Sequence, residues 1–271
     1  MHPILFKIGR FEVHSYGLLL AISFLIGIFW SVKRGERKGI NRNDIMDFSI
    51  MVVISSIVGA RLLYVLTHLQ EFKGRWIDTF NPFQSSGEIG IAGLTMLGGV
   101  VLSIIAVTIF CRIRKVSILK LGDVMAPAIA LGIAITRIGC FLNGCCFGKQ
   151  CDLPWAMVFP LTSPAGSTLQ GVAIHPTQLY SSLYGLIILV TILVLEKRVR
   201  FDGFFLSLFF MMYGTFRFLV DFVRYYEPSV KFSFIGVWFT INQLISFLMF
   251  LAGLAIFLIL SGRASSSVKK S

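Results

Sequence analysis

Seven apolar runs separated by short clusters of lysine and arginine constrain this chain more than any other feature. They cover about residues 14–32, 46–68, 90–110, 121–143, 176–195, 204–222 and 234–260. Most reach the ~20 residues that a helix needs to cross ~30 Å of hydrocarbon, where a helix satisfies its own backbone hydrogen bonds. Composition agrees: 56% of the 271 residues are hydrophobic and 14% are charged, and the mean hydropathy of +0.81 is far from that of an ordinary soluble domain. The expected fold is an all-α integral membrane protein, a polytopic bundle of seven transmembrane helices. No internal repeat or shift in composition marks a second domain, so residues 1–271 read as a single transmembrane domain.

The net charge of +12 invites a nucleic-acid partner, but such a partner requires the basic residues to share one soluble face. Here they sit in the gaps between apolar runs, and no nucleic acid is expected. Residues 33–45, 111–120, 196–203 and 261–271 hold 15 Lys and Arg, and the opposite side holds 7. By the positive-inside rule the N-terminus is then periplasmic and the C-terminus cytoplasmic. The first run lacks the features of a removable signal peptide and reads as an uncleaved insertion signal. The outer segments 69–89 and 144–175 carry Trp76, Trp155, Pro82, Pro154, Pro160 and Pro164, which suggests partly ordered loops near the headgroups and candidate gates. The tail, 261–271, reads as a disordered basic end.

Three arginines, Arg61, Arg137 and Arg217, fall inside the spans. Each lies about five to seven residues before the outer end of its run, roughly 7–11 Å below the surface. A guanidinium at that depth costs a few kcal/mol or more unless it is paired or hydrated. Snorkelling or structural pairing is the plain alternative. Asp221 is four residues after Arg217 and three before Arg224, so a continuous helix aligns Arg-Asp-Arg on one face. One carboxylate between two cations leaves a positive excess, and a phosphate matches guanidinium forks bidentately. His14, Tyr16, Tyr64, His175, Gln178, Tyr180 and Tyr213 lie near the same level. Each alone suits an interfacial belt; together they outline a pocket for a lipid headgroup. Gly98 and Gly99 serve either close helix packing or room for a ligand. Cys140, Cys145, Cys146 and Cys151 are spaced C-x4-CC-x4-C, which is no zinc signature. A disulfide and a metal stay open for them, but small packing residues are the expectation.

Several stretches together resemble the prolipoprotein diacylglyceryl transferase family: SYGLLLA at 15–21, GARLLYVL at 59–66, RIGCFLNGCCFGK at 137–149, DLPWAMVFP at 152–160, HPTQLY at 175–180 and YGTFRFLVDFVR at 213–224. The resemblance runs through nearly the whole chain, in order. It implies a seven-span enzyme of the bacterial inner membrane. Such an enzyme moves the diacylglyceryl group of phosphatidylglycerol to the lipobox cysteine thiol of a prolipoprotein, forming a thioether and releasing glycerol phosphate. By the same resemblance Arg137 and Arg217 match the essential arginines, Tyr16 the tyrosine of the first span, and Asn143 and Gly144 the signature Asn-Gly. Tyr213, Asp221 and Arg224 fit the sixth-span motif, and His175 fits the His-Pro motif. The chain departs from the family pattern at Leu97, where a histidine or tyrosine often precedes the glycine pair, and at Cys145, where a carboxylate often follows Asn-Gly.

The expected catalytic residues are therefore Arg137, Arg217, His175 and Tyr16. The residues expected to hold phosphatidylglycerol are Arg137, Arg217, Arg61, Asn143, Gly144, Gly98, Gly99, Tyr213, Asp221 and Arg224. A thiolate attacks the glycerol carbon beside the phosphate while the arginines stabilise the departing charge. His175, then His14, is the better base on offer. No metal and no organic cofactor is expected; the partners are phosphatidylglycerol, a prolipoprotein signal peptide with its lipobox, and membrane lipids. Two rival readings are a transporter or flippase for an anionic lipid or solute, and a catalytically silent family member that binds lipid.

Overall fold

The structure, a computed structural model, describes residues 4–8, 11–72, 95–198, 201–226, 231–234 and 237–268. A hairpin of β1 (Ile4–Ile8) and β2 (Phe11–His14) opens the chain. There follow α1 (Ser15–Arg37), α2 (Arg42–Thr67), α3 (Met96–Arg114), α4 (Ile118–Asn143), the short α5 (Pro164–Thr168), α6 (Thr177–Leu195) and α7 (Phe204–Val223). A second hairpin, β3 (Lys231–Phe234) and β4 (Val237–Thr240), leads into α8 (Ile241–Val268). Among the described residues seven helices, all but α5, are long and apolar enough to cross a membrane.

Hydropathy locates these helices but misplaces some ends. Helix α3 begins at Met96 rather than 90, because Thr95 is extended (φ −94°, ψ 120°) and both its backbone N–H and its Oγ1 donate to the Ala60 carbonyl, at 3.0 and 2.9 Å. Residues 90–94 of that expected span, and 73–89 of the first expected gate, lie outside the described residues. The last helix starts at Ile241 rather than 234, since the alternating KFSF and VWFT segments pair as strands. A reciprocal cap fixes that start. Gln243 N–H donates to Thr240 Oγ1 at 3.1 Å, and Thr240 N–H donates to Gln243 Oε1 at 3.0 Å. The tail expected to be disordered continues as helix to Val268.

Contacts divide the chain into two compact units, Val32–Ile118 on one hand and Met1–Ser31 with Leu119–Ser271 on the other. In the first, α2 and α3 approach until their backbones touch. A Cβ on Gly98 falls 2.2 Å from the Gly59 carbonyl oxygen, and one on Gly99 falls 2.7 Å from that of Ser56. The space left by the glycine pair is thus filled by α2 rather than open for a ligand, the close packing that small residues allow within membranes. Arg114 joins the other end of this pair to Asp47 at 2.6 Å.

In the second unit, α7 and α8 meet the same way, with Gly214 against Ser246 and Gly253 against Ser207. Gly185 of α6 lies against Ala130 and Ala134 of α4, and Ser182 Oγ donates to the Ala134 carbonyl at 2.8 Å. The core here is Ala126, Ala130, Tyr184, Ile188, Leu189, Ile192, Phe205 and Phe209. Asp123, fully buried, accepts the N–H groups of Gly203 and Leu206 at 2.9 Å each and so caps α7. Gly98→Ala is expected to lower stability by about 1–3 kcal/mol through overpacking, read as an earlier thermal unfolding transition in detergent. Gly17→Ala, where a Cβ meets nothing within 4 Å, should shift it by no more than about 0.5 kcal/mol.

Candidate functional site

The site is built where α4 ends. Asn143 closes the helix, and Gly144 turns the chain with a left-handed φ of +73°. A Cβ there falls 2.6 Å from the Ser163 Cβ, so glycine is required for space as well as for conformation. Beyond the turn the strand-like segment 147–150 ties together the start of α6 and the end of α7. Gly148 N–H donates to the His175 carbonyl (3.1 Å) and His175 N–H to that of Lys149 (2.9 Å); Lys149 N–H donates to that of Val223 (2.8 Å). From the start of α6, Thr177 Oγ1 donates to the Cys146 carbonyl and Gln178 Nε2 to that of Cys145, each at 2.8 Å. The second expected gate, 151–176, is therefore an ordered cover carrying α5, pinned to Gly144 by an Ala165 N–H bond of 3.0 Å.

Arg217 and Arg137 converge on this region but are served differently. Arg217 is 8% exposed, and its Nη1 lies 2.7 Å from Asp221 Oδ1. Its Nη2 donates to Tyr226 Oη at 2.8 Å, and Tyr226 donates onward to Asp221 Oδ1 at 2.6 Å. Thr240 Oγ1 donates to the other carboxylate oxygen, and Asn242 Nδ2 to Tyr226 Oη at 3.0 Å. Burial raises the Tyr226 phenol above its ordinary range against the pull of Arg224 and Arg217, which keeps the donor protonated. Arg137 has no such carboxylate. The groups whose charge bears on it are Tyr184, Cys146, Cys140 and Tyr213, and among the described residues it makes no ion pair or hydrogen bond.

Two tyrosines link the arginines. Tyr184 and Tyr213 both lie in the field of Arg137 and of Arg217, with their rings edge to face at 5.9 Å. Tyr184 is 3% exposed and its hydroxyl makes no hydrogen bond of ordinary geometry; the nearby Ser181 hydroxyl is committed to the Thr177 carbonyl at 2.8 Å. Tyr16 joins from α1, which reaches α4 at Gly139, where a Cβ falls 3.2 Å from the Tyr16 Cα. The Tyr16 phenol interacts with Cys140, Cys145, Cys146 and Arg137.

Several expected site residues are held by other contacts. The Arg-Asp-Arg face does not form, because α7 ends at Val223 and Arg224 is extended (φ −81°, ψ 142°). Its backbone bridges Gly148 and its guanidinium lies 5.3 Å from the Tyr226 ring centre. His175 sits in the 151–176 cover, its Nδ1 3.2 Å from Tyr180 Oη, which in turn accepts Trp155 Nε1–H at 2.7 Å. No hydrogen bond joins it to either arginine among the described residues. Arg61, 2% exposed, belongs with Gly98 and Gly99 to the α2–α3 unit, with its guanidinium 5.1 Å from the Phe72 ring centre and 5.7 Å from that of Tyr64. Tyr184, Tyr226, Thr240 and Asn242 were not singled out from sequence. Only the T-x-x-Q cap at 240–243 left a local sign that this segment begins a helix.

Asp221→Asn should strip a buried guanidinium of its counter-charge and cost about 3–5 kcal/mol, and Tyr226→Phe about 1–3 kcal/mol, both read by thermal unfolding in detergent. Burial, with the charge of Lys149 beside it, holds His175 below the ordinary histidine range. The folded state therefore disfavours the imidazolium, and stability present above pH ~6.5 is lost as pH falls. The unfolding temperature should drop between about pH 7 and pH 5, and His175→Gln should reduce that drop.

The family model for prolipoprotein diacylglyceryl transferase matches residues 3–259 of this chain. Curated relatives named phosphatidylglycerol–prolipoprotein diacylglyceryl transferase include the protein of Bordetella avium, 33% identical over 97% of this chain and 96% of its own. That of Pseudoalteromonas translucida is 32% identical over 94% and 91%, and that of Clostridium tetani 29% identical over 95% and 97%.

Proposed function

The chain belongs to the prolipoprotein diacylglyceryl transferase family, and from that premise we propose that it transfers the sn-1,2-diacylglyceryl group of phosphatidylglycerol to the lipobox cysteine thiol of a prolipoprotein. It is a multi-pass membrane transferase of lipoprotein maturation. The lipobox thiolate attacks the glycerol carbon that carries the phosphate. A C–S thioether bond forms, the C–O bond breaks, and the electron pair leaves with glycerol phosphate. The thiol proton passes to solvent or to a nearby base before attack.

The observation that carries this reading is the inequality of the two arginines. Arg217 is already neutralised and fixed by Asp221 and Tyr226, whereas Arg137 makes no ion pair or hydrogen bond among the described residues, and the groups whose charge bears most on it are phenols and thiols. A lone guanidinium at that depth is a receptor for an anion, and the phosphate of phosphatidylglycerol supplies one. As the C–O bond breaks, negative charge grows on the phosphate, and a pre-oriented guanidinium stabilises it without reorganising. Tyr184 and Tyr213 lie in the same field and offer phenol donors to the phosphate oxygens. Tyr16 offers another beside the thiols. Asn143 and Gly144 hold the turn that presents this wall. His175 shapes the outer cover through Tyr180 and Trp155, at one remove from the phosphate. Asp221 and Arg224 hold that wall, while Arg61, Gly98 and Gly99 hold the α2–α3 unit together.

The reading takes the 271 residues as one catalytic domain in the bacterial inner membrane, with a periplasmic N-terminus and a cytoplasmic C-terminus. The distribution of 15 basic residues against 7 supports that orientation, and it sets the site toward the periplasmic leaflet. Membrane lipids fill the remaining apolar surface, which exposes Leu25, Phe29, Ile104, Ile113 and Leu183.

Arg137→Gln is expected to cut transfer from labelled phosphatidylglycerol to a lipobox peptide by roughly 100-fold or more, with unfolding temperature retained. Full transfer by that variant overturns the assignment. Arg217→Lys keeps the charge but loses the fork that binds Asp221 and Tyr226, and it should lower transfer as well; unchanged kinetics mark Arg217 as structural.

A further inference from the structure

Three thiols converge beside Arg137, and the transfer chemistry above makes no use of them. The Sγ atoms of Cys140, Cys145 and Cys146 all lie within 4.8 Å of one another. An ion bound to three sulfurs at ~2.3 Å spaces them by about 4 Å, a change reachable by small side-chain rotations. None of the three is in a disulfide, and Cys151, though close in sequence, is not among them.

The spacing C-x4-CC hides this cluster because the turn after α4 creates it. Gly144 is left-handed, and so is Cys146, at φ +61°. For a side chain other than glycine that conformation is uncommon and is kept only where the surroundings impose it. Here the Cys145 and Cys146 carbonyls are gripped by Gln178 and Thr177 at 2.8 Å each, and Cys145 N–H reaches back to the Cys140 carbonyl at 3.1 Å. The chain therefore doubles back, and the sulfur of the last helical turn meets the two that follow it.

The surroundings suit thiolates. The guanidinium groups of Arg224 and Arg137 bear on Cys146 from beside the cluster, and positive charge close to a thiol favours its thiolate. Three soft ligands select a thiophilic ion. Structural zinc sites close with a fourth protein ligand, whereas three protein ligands leave a position for an exchangeable one.

We propose that Cys140, Cys145 and Cys146 form a three-thiolate site for zinc whose fourth position takes the thiolate of the incoming lipobox cysteine. The assignment of that fourth ligand rests on the transferase reading. On binding, the substrate S–H bond breaks, the proton goes to solvent, and sulfur takes the place of a water on the ion; nothing is oxidised or reduced. Zinc deprotonates a coordinated thiol outright, which supplies the nucleophile without a histidine near Arg137. When the C–S bond forms, the product thioether is a neutral, weaker donor and departs, leaving the ion in place. Tyr16 and Arg137, which bear on all or part of the cluster, put the phosphate and the thiolate side by side.

The test uses the full chain in detergent micelles, without phosphatidylglycerol, titrated anaerobically with Cd(II) as a spectroscopic stand-in for zinc. Thiolate-to-cadmium charge-transfer absorption should saturate at one equivalent. Cys145→Ser and Cys146→Ser should each weaken binding ten-fold or more, and Cys151→Ser should leave it unchanged. Competition of the wild-type protein with a chromophoric zinc chelator gives a second measure that needs no variant to fold. A lipobox peptide should then raise the absorption by about one third as a fourth sulfur joins three, and its cysteine-to-serine counterpart should not. Absence of stoichiometric binding, or binding that survives both the 145 and 146 substitutions, overturns the site. Binding without a response to the cysteine peptide overturns the open position. Neither readout involves transfer, so a metal-loaded wild-type protein that responds to the peptide yet transfers no diacylglyceryl group counts against the transferase reading alone.

Discussion

A guanidinium held within a membrane helix must find negative charge, and the larger unit of this protein is arranged around two that meet that demand in opposite ways. Arg217 finds it within the fold. Asp221 pairs with Arg217 and accepts from Tyr226 and from Thr240, so both oxygens of a buried carboxylate are engaged and the penalty for burying it is offset. Because Thr240 and Asn242 stand at the head of α8 while Arg217 and Asp221 stand on α7, the same knot fixes the register between those helices. Their contacting glycines, Gly214 and Gly253, allow the backbones close enough for such short side chains to reach. Arg137 finds no ion pair or hydrogen bond among the described residues, and the groups whose charge bears on it are tyrosines and cysteines.

The turn after α4 carries this division into the rest of the site. One stretch of chain, 143–150, makes a left-handed exit, gives its carbonyls to the start of α6 and pairs with the end of α7. Three helix ends are therefore held by one segment, and the angle of each depends on Gly144 having no side chain. The outer cover is anchored to the same glycine through Ala165. A displacement of this turn moves Arg137, the thiols and the cover together, which ties the precision of the site to the packing around Ser163 and Phe159.

The fold was legible in the sequence wherever burial in lipid alone decides structure. Seven apolar runs became seven helices because hydrocarbon leaves the backbone no other way to satisfy itself. Hydropathy failed where an apolar segment pairs as strand instead: residues 234–240 are apolar in sequence, but β3 and β4 pair with each other and the capping residues Thr240 and Gln243 decide where α8 begins. Arg137 and Arg217 stood out in the sequence because a charge inside an apolar run is costly, and the structure buries Arg217 against Asp221. The Arg-Asp-Arg alignment failed because counting assumes that the helix continues, and α7 stops one residue before Arg224. Tyr184 and Tyr226 gave no local signal. Their roles come from which helix faces meet, and no spacing along one segment encodes that.

Cys145 joins these two levels of reading. A carboxylate at this position would lie close to Arg137 and compete with an incoming phosphate for it. A thiol does so only when ionised, and a thiolate shared with a metal ion carries its charge into the ion rather than toward the guanidinium. The neutral phenols of Tyr184 and Tyr213 follow the same logic, since they donate to an anion without cancelling the cation that attracts it. A site that must attract a phosphodiester and hold a thiolate beside it needs positive charge that is not already paired and sulfur chemistry that does not consume that charge. On the proposed reading the wall formed by Arg137, Tyr184, Tyr213 and the three cysteines meets both conditions, whereas the Arg217 knot does not, because its charge is paired within the fold.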